Sequence, residues 1–218
     1  MSGFLLWSFF NSATLDGTGS VVGNANLVRK VRFPRVVLPL ASVGFAGVHL
    51  ALQLLVLFVF LVPAYPDAFA PQLWLLVPAL AVAVIFTVAM ALLASSLNVR
   101  YRDVQHLLEI ALLAWFWLTP IVYPVTVVRN ELARAGYLWM FKFYMANPMT
   151  AVVVAAQRAV YAHPVVTAND GSTVQVLPAA GYGFYVQWLA VAAASSLALL
   201  AIGRWTFRRL QADFAEEL

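Results

Sequence analysis

The chain has 218 residues, of which 63% are hydrophobic and only 10% are charged, and its formal net charge is +4. Soluble domains carry about 25% charged residues, so this composition predicts an integral membrane protein. The basic residues stand at the ends of apolar segments rather than along one continuous face, which argues against nucleic-acid binding. The absence of cysteine excludes disulfides and thiol chemistry.

A transmembrane helix needs roughly 20 mostly apolar residues. The opening apolar segment, Phe4 to Leu15, is too short to cross a bilayer alone. Full spans are predicted for three long apolar segments: Val36 to Tyr65, Leu73 to Val99 and Tyr182 to Gly203. Two further apolar segments, Leu107 to Val128 and Phe143 to Tyr161, are interrupted by prolines. These broken segments favour short re-entrant or interfacial helices.

A basic segment, Asn24 to Arg35, follows the opening helix and precedes the first long apolar run. It holds four cations within seven residues, and no further charge occurs before Asp67. Such clusters mark the cytoplasmic ends of spans. The Phe33-Pro34 step ends one helix before the next begins. The segment is therefore either a topology signal alone or also a docking surface for a soluble partner.

Placing the basic segment in the cytoplasm fixes the side on which every other cation lies. Nine cations then lie inside, namely Arg29, Lys30, Arg32, Arg35, Arg100, Arg102, Arg204, Arg208 and Arg209. Four lie outside, namely Arg129, Arg134, Lys142 and Arg158. The reverse orientation would violate the positive-inside rule. Pro164 to Pro178, rich in turn residues, is predicted to be an exposed outer loop.

Several polar residues interrupt the apolar segments. Glu109 is either a functional intramembrane acid or the partner of Arg100 or Arg102. His49 and Gln53 share one helix face, where they either bond to a neighbouring helix or line a pathway.

Aromatic residues concentrate in two places, around Trp7 and Phe10 and again from Trp115 through Trp117 to Tyr123. They form either an interfacial belt or the wall of a path on which sugar rings stack, and the sequence leaves both open. The chain has no P-loop motif, because Gly17-Thr18-Gly19-Ser20 lacks the spacing and the lysine, so no ATP site is expected. No metal-ligand spacing and no Ser/His/acid set is apparent.

Four blocks of sequence resemble the permease subunit of type-2 ABC exporters, in the branch that carries lipid-linked O-antigen, galactan or teichoic acid. They are, in order along the chain, Trp7 to Ser42, Leu97 to Val104, Phe116 to Pro124 and Asn147-Pro148. The resemblance implies an all-α integral membrane fold with one permease domain over residues 1–218. It implies about four to five full spans, with re-entrant gate helices between Pro120 and Tyr161 on the outer side. It also implies that the chain starts within the second span of the family and lacks the first.

The resemblance further implies a multi-pass subunit in the bacterial cytoplasmic membrane that moves a lipid-linked glycan. Its expected partners are the lipid bilayer, a second copy of itself and an ABC-type ATPase, with ATP and Mg on that ATPase and no cofactor on this chain. The ATPase-coupling residues would be Asn24, Leu27, Arg29, Lys30, Arg32, Phe33, Arg35, Arg100, Arg102 and Asp103. The substrate path would include Trp7, Phe10, Trp115, Trp117 and Tyr123.

Three other functions compete with polysaccharide export. The chain could be the permease of a drug or small-lipid ABC exporter. An integral-membrane glycosyl- or acyltransferase would need a positioned acid, base or metal site near one membrane face, and none is evident. A proton-coupled carrier would need several intramembrane carboxylates, whereas only Glu109 is available.

Overall fold

A computed structural model describes residues 2–31, 33–64, 71–160, 165–167, 173–178, 180–211 and Phe214. Helices dominate this part of the chain. In order they are α1 (Ser2–Gly23), α2 (Ala25–Lys30), α3 (Val37–Ala64), α4 (Leu76–Arg100), α5 (Val104–Leu118), α6 (Val125–Arg134), α7 (Met140–Ala146), α8 (Pro148–Val160) and α9 (Tyr182–Leu210). A 3-10 helix, Pro71–Leu75, leads into α4, and β1 (Val165–Thr167) and β2 (Thr173–Gln175) precede α9.

Three described helices are long and apolar enough to cross a membrane: α3, α4 with its preceding 3-10 turn, and α9. They coincide with the three long segments predicted from the sequence, and the all-α membrane fold is confirmed. The strands that the structure describes form one small antiparallel hairpin of β1 and β2, with Val166 opposite Val174.

The opening helix is longer than its apolar stretch suggested. α1 has 22 residues, which gives a length of about 33 Å, so the helix extends beyond the apolar segment Phe4 to Leu15 at both ends. It is not among the three described helices that are long and apolar enough to cross a membrane. Past Leu15 the helix contains polar residues, and two of their hydroxyl groups are satisfied within it: Thr18 donates to the Thr14 carbonyl at 2.7 Å, and Ser20 donates to the Gly17 carbonyl at 2.6 Å.

The proline-broken segments form short helices, as predicted. α5 ends at Leu118 before Pro120, and the Asn147-Pro148 step separates α7 from α8. The predicted outer loop is only partly described. Its residues 165–167 and 173–175 form the hairpin, and Leu177 is fully buried, so the prediction of full exposure is wrong at that end.

α4 lies at the centre of the bundle, against α1, α3, α8 and α9. Small residues allow two of these close approaches. A Cβ added to Gly17 of α1 would lie 2.8 Å from the Ala91 Cβ, and one added to Gly203 of α9 would lie 2.8 Å from the Ala89 carbonyl oxygen. Helix pairs within membranes commonly pack through such small residues, because lipid supplies no hydrophobic driving force between them.

The two ends of the bundle differ in charge. At one end, a cluster of Val21, Val28, Leu92, Val99, Phe207 and Phe214 joins the termini of α1, α4 and α9 beside the cations assigned to the cytoplasm. We call this the basic end. At the other, the Ser2 hydroxyl donates to the Ala156 carbonyl, and Arg158 lies over the Tyr182 ring. The structure therefore separates the two groups of cations along the bundle as predicted.

Candidate functional site

The short helix α2 is fixed to the basic end by one apolar residue. Val28 is buried in the cluster that includes Val99 and Phe207. Asn24 supports the turn before α2, since its side-chain amide donates to the Ser20 carbonyl at 2.8 Å and its own carbonyl accepts from Leu27 and Val28. Because Val28 faces inward, the opposite side of α2 is presented to the solvent.

That outward side of α2 combines an apolar residue with cations. Leu27 is 44% exposed, and Arg29 and Lys30 are exposed beside it. Arg32, the third cation of the predicted coupling set, lies outside the described residues. A small surface of this kind, held on a buried anchor, can bind a partner without a large change in the bundle.

Arg35 and Phe33 differ from these exposed residues because both face the bundle. Arg35 donates to the Gln211 carbonyl, and its guanidinium lies 5.9 Å from the centre of the buried Phe214 ring. Phe33 is half-buried against the same cluster. These two residues therefore attach the start of α3 to the end of α9.

The second basic loop lies between α4 and α5. Arg100, Arg102 and Asp103 are all exposed, and Arg100 lies over the Tyr101 ring. Asp103 occupies the N-cap position of α5, but its side chain makes no capping hydrogen bond there. Instead, the Asn98 side-chain oxygen accepts a hydrogen bond from the Gln105 backbone N–H at 3.2 Å.

Asn98 is a buried connection that the sequence analysis missed. Its amide nitrogen also donates to the Thr18 carbonyl at 3.2 Å, so one side chain joins α1, α4 and α5 directly above the two basic loops. An asparagine with less than a tenth of its surface exposed must satisfy its hydrogen-bonding groups within the protein. Its position at the end of an apolar run, next to a basic loop, was the available signal.

Glu109 makes a contact other than the one expected. Its carboxylate lies 3.7 Å from the His106 imidazole, one turn earlier on α5, and both side chains are largely exposed. Within the described part of the chain it pairs with neither Arg100 nor Arg102. Its location beside Asp16 and Gln105 puts it near the basic end rather than in the bundle interior.

His49 and Gln53 lie on an exposed face of α3 rather than between helices of this chain. The His49 ring nitrogen is 3.1 Å from the Phe45 carbonyl oxygen of its own helix, and the two rings are 4.6 Å apart. In this chain, His49 is therefore partnered along α3 and does not bridge to another described helix.

The first group of aromatic residues is buried. Trp7 is 5% exposed and Phe10 is fully buried. Phe10 stacks on Phe86 at 5.2 Å and meets the half-buried Trp115 at 5.7 Å, whereas Trp7 meets Phe116 at 5.8 Å. Trp7 and Phe10 thus pack α1 against α4 and α5, and neither presents a face to a path on the surface of this chain.

Trp117 and Tyr123 occupy the outer side of this cluster. Trp117 is 61% exposed, and the Tyr123 hydroxyl donates to its backbone carbonyl at 2.8 Å. The Tyr123 hydroxyl is also 3.2 Å from that of Tyr144 on α7. Burial raises the pKa of Tyr144, and the hydrogen bond to Tyr123 raises it further, so the Tyr144 hydroxyl remains neutral. Together they join the turn after α5 to α7.

Comparison with known proteins gives a consistent result. Residues 1–161 match the family model described as ABC-2 type transporter. The O-antigen export system permease protein RfbA of Myxococcus xanthus is 30% identical over 161 residues, which cover 74% of this chain and 59% of that protein. An RfbA of Klebsiella pneumoniae with the same description is 27% identical over 158 residues, covering 71% of this chain and 57% of its own length.

The chain thus spans less than two thirds of the length of these relatives. The match includes both basic loops and the aromatic cluster, and the resemblance noted in the sequence is confirmed. With its long apolar helices, the chain is a multi-pass membrane protein, and it belongs to the ABC-2 type transporter family.

Proposed function

We propose that the chain is the membrane-spanning subunit of an ATP-driven exporter that moves a lipid-linked cell-envelope polysaccharide across the bacterial cytoplasmic membrane. Family membership and the export function named for the two relatives support this proposal. The chain would work as a pair with a second copy of itself. ATP and Mg would be bound by a separate ABC-type ATPase, and this chain would carry no cofactor.

The observation that carries the proposal is the outward surface of α2. Leu27, Arg29 and Lys30 are exposed on a helix whose opposite side is fixed by Val28. A surface with both an apolar residue and cations suits an acidic, partly apolar cleft on a soluble partner, because complementary charge favours correct docking. The loop with Arg100, Arg102 and Asp103 lies at the same end and would extend the contact.

A docked ATPase would need a rigid connection to the spans. Asn98 supplies one, since it links α1, α4 and α5 by hydrogen bonds just above the loops. Arg35 supplies a second one, since it links the start of α3 to the end of α9. We therefore assign Arg35 and Phe33 to transmission of movement rather than to direct contact with the ATPase.

Trp117 and Tyr123 are the residues that best suit a glycan path. Trp117 belongs to an exposed apolar stripe of α5 that also contains Leu107, Ile110 and Leu113. In the proposed dimer this stripe would face the second copy, and the exposed indole would offer a stacking surface to sugar rings. Trp7, Phe10 and Trp115 would not contact the glycan and would instead hold α5 in place by packing between α1, α4 and α5.

Charge reversal tests the docking surface. The double variant Arg29→Glu/Lys30→Glu should lower co-purification of a co-expressed ABC ATPase at least tenfold and abolish glycan export, because two attractions become repulsions. The variant should still reach the membrane at normal yield, since exposed charges contribute little to stability. Arg129→Glu/Lys142→Glu, with the same charge change at the other end, is the matched control. Normal ATPase binding and export by the Arg29/Lys30 variant would refute the docking surface.

Alanine substitution tests the path. Trp117→Ala should lower export of the lipid-linked polysaccharide several-fold while thermal stability in detergent stays nearly constant, because the indole is mostly exposed. Trp139→Ala is the control, since that indole on the outer side is similarly exposed. Export is measured as surface glycan per molecule of permease in the membrane. Equal export by both variants would remove Trp117 from the path. If the unmodified protein transported only drugs or small lipids, that result would favour the competing function as a permease for those compounds.

A further inference from the structure

A groove of about 620 Å³ runs between α3, α4 and α9 near the basic end, away from the aromatic cluster. Its walls are apolar and include Leu40, Leu197 and Leu200, of which Leu40 and Leu197 are substantially exposed. Arg204 and Arg208 complete the lining. The groove thus combines a long apolar surface with two cations, and neither the coupling surface nor the path uses it.

The two arginines lie close together, and among the described residues neither has a counter-charge. They are four residues apart on α9 and therefore share one face of the helix. Both are exposed, and within the described part of the chain neither has an ion-pair or hydrogen-bond partner. Arg209 differs, because its guanidinium lies 5.1 Å from the Trp205 ring centre. Like charges at this spacing repel, so an anion held between them would stabilise this end of α9.

The apolar walls indicate what kind of anion fits. A small soluble anion needs only the two guanidinium groups and gains nothing from contact with leucines. A phospholipid uses both parts, since basic pockets between transmembrane helices on the cytoplasmic side bind anionic headgroups. The exposed Trp205 beside the arginines is a residue type enriched at the membrane–water interface.

We propose that this groove binds an anionic phospholipid of the cytoplasmic leaflet. Its phosphate lies between Arg204 and Arg208, and one acyl chain lies along Leu40, Leu197 and Leu200. The bound lipid would fill the space between α3 and α9. The proposal depends on the orientation of the basic end and not on which substrate the chain transports.

Lipid selectivity of the purified protein tests this site. Native mass spectrometry in detergent should show dioleoyl phosphatidylglycerol retained at least tenfold better than dioleoyl phosphatidylcholine. Arg204→Gln/Arg208→Gln should abolish that preference, whereas Arg129→Gln/Lys142→Gln, which removes the same charge at the other end, should preserve it. Equal retention of the two lipids, or an equal loss in both variants, would overturn the proposal.

A second variant tests the acyl chain separately from the phosphate. Leu197→Trp should fill the groove and reduce phosphatidylglycerol retention several-fold while both arginines remain, and it keeps the test decisive if the arginine variant does not fold. Millimolar inorganic phosphate should not displace the lipid. Displacement of the lipid by phosphate would make this a soluble-anion site. Unchanged lipid retention by Leu197→Trp would show that the acyl chain lies elsewhere. Either result refutes the assignment.

Discussion

α1 and α3 are neighbouring helices of similar length, yet they have opposite relations to their surroundings. α1 carries glycines, threonines and serines, and 12 of its 22 residues are buried. α3 is far more uniformly apolar, but only 17% of its most apolar 18-residue stretch is buried within the protein. In a soluble protein the more apolar helix would be the more buried one. Here the order is reversed.

This reversed order of burial follows from the lipid that surrounds the helices. Lipid tails are as apolar as leucine, so an apolar face gains nothing by leaving them, and helix contacts depend on close packing and hydrogen bonds instead. α1 meets these needs with Gly17 packed against Ala91 and with the Thr18 carbonyl, which accepts a hydrogen bond from the Asn98 side chain of α4. α3 exposes Phe45, Leu52 and Phe60, which suits a helix that faces lipid.

The largest expected difference between the two helices comes from removing one phenyl ring from each. Phe10→Ala on α1 empties a fully buried site between Phe86 and Trp115, and it should cost about 3–5 kcal/mol of folding free energy. Phe60→Ala on α3 removes a ring that is 74% exposed, and it should cost less than about 0.5 kcal/mol. Thermal unfolding in one detergent compares them. Similar shifts in melting temperature would mean that α3 is covered by protein.

A smaller difference is expected from adding the same side chain to each helix. Gly17→Leu on α1 forces new atoms against Ala91, and overpacking of this kind costs about 1–3 kcal/mol. Gly44→Leu on α3 meets no atom within 4 Å of its new Cβ and should be neutral or slightly stabilising, since leucine favours helix more than glycine does. The yield of monodisperse protein after heating measures both. Equal tolerance would show that the α1–α4 contact is looser than its geometry indicates.

The same physics explains which parts of the fold the sequence could predict. α3, α4 and α9 were predictable because a long uncharged run has few alternatives to a span. The breaks at Pro120 and at Asn147-Pro148 were predictable from backbone sterics. The full length of α1 was not, since hydropathy falls in the second half of the helix, and the hydrogen bonds that satisfy the Thr18 and Ser20 hydroxyls there are invisible to a count of apolar residues.

The basic end of the candidate site was more predictable from the sequence than the aromatic cluster. The clustering of cations predicted the basic end, and α2 indeed exposes Arg29 and Lys30 there. Aromatic composition could not separate the buried Trp7 from the exposed Trp117, because burial depends on which helices meet. Asn98 was missed for the same reason, since its partners are 7 and 80 residues away in the sequence.

The smallest expected effect concerns the polar residue on the exposed face of α3. Among the described residues, the polar and ring contacts of His49 are with Phe45, one turn earlier, through a carbonyl oxygen 3.1 Å away and a ring 4.6 Å away. If this face meets lipid, His49→Leu should change stability by less than about 0.5 kcal/mol and improve membrane insertion, because leucine partitions into the bilayer more favourably than histidine.

The control for His49 is Ser196→Leu on α9, where a fully buried hydroxyl donates to the Ala192 carbonyl at 2.6 Å and leaves no room for a larger side chain. That variant should lose stability clearly, and this loss would show that the assay detects damage to the packed interior of the bundle. Thermal unfolding, together with the mass of the detergent complex, measures both variants. A marked loss of stability or a change of oligomeric state in His49→Leu would place a protein partner on α3. The contrast between the two helices would then arise from different protein contacts rather than from protein on one side and lipid on the other.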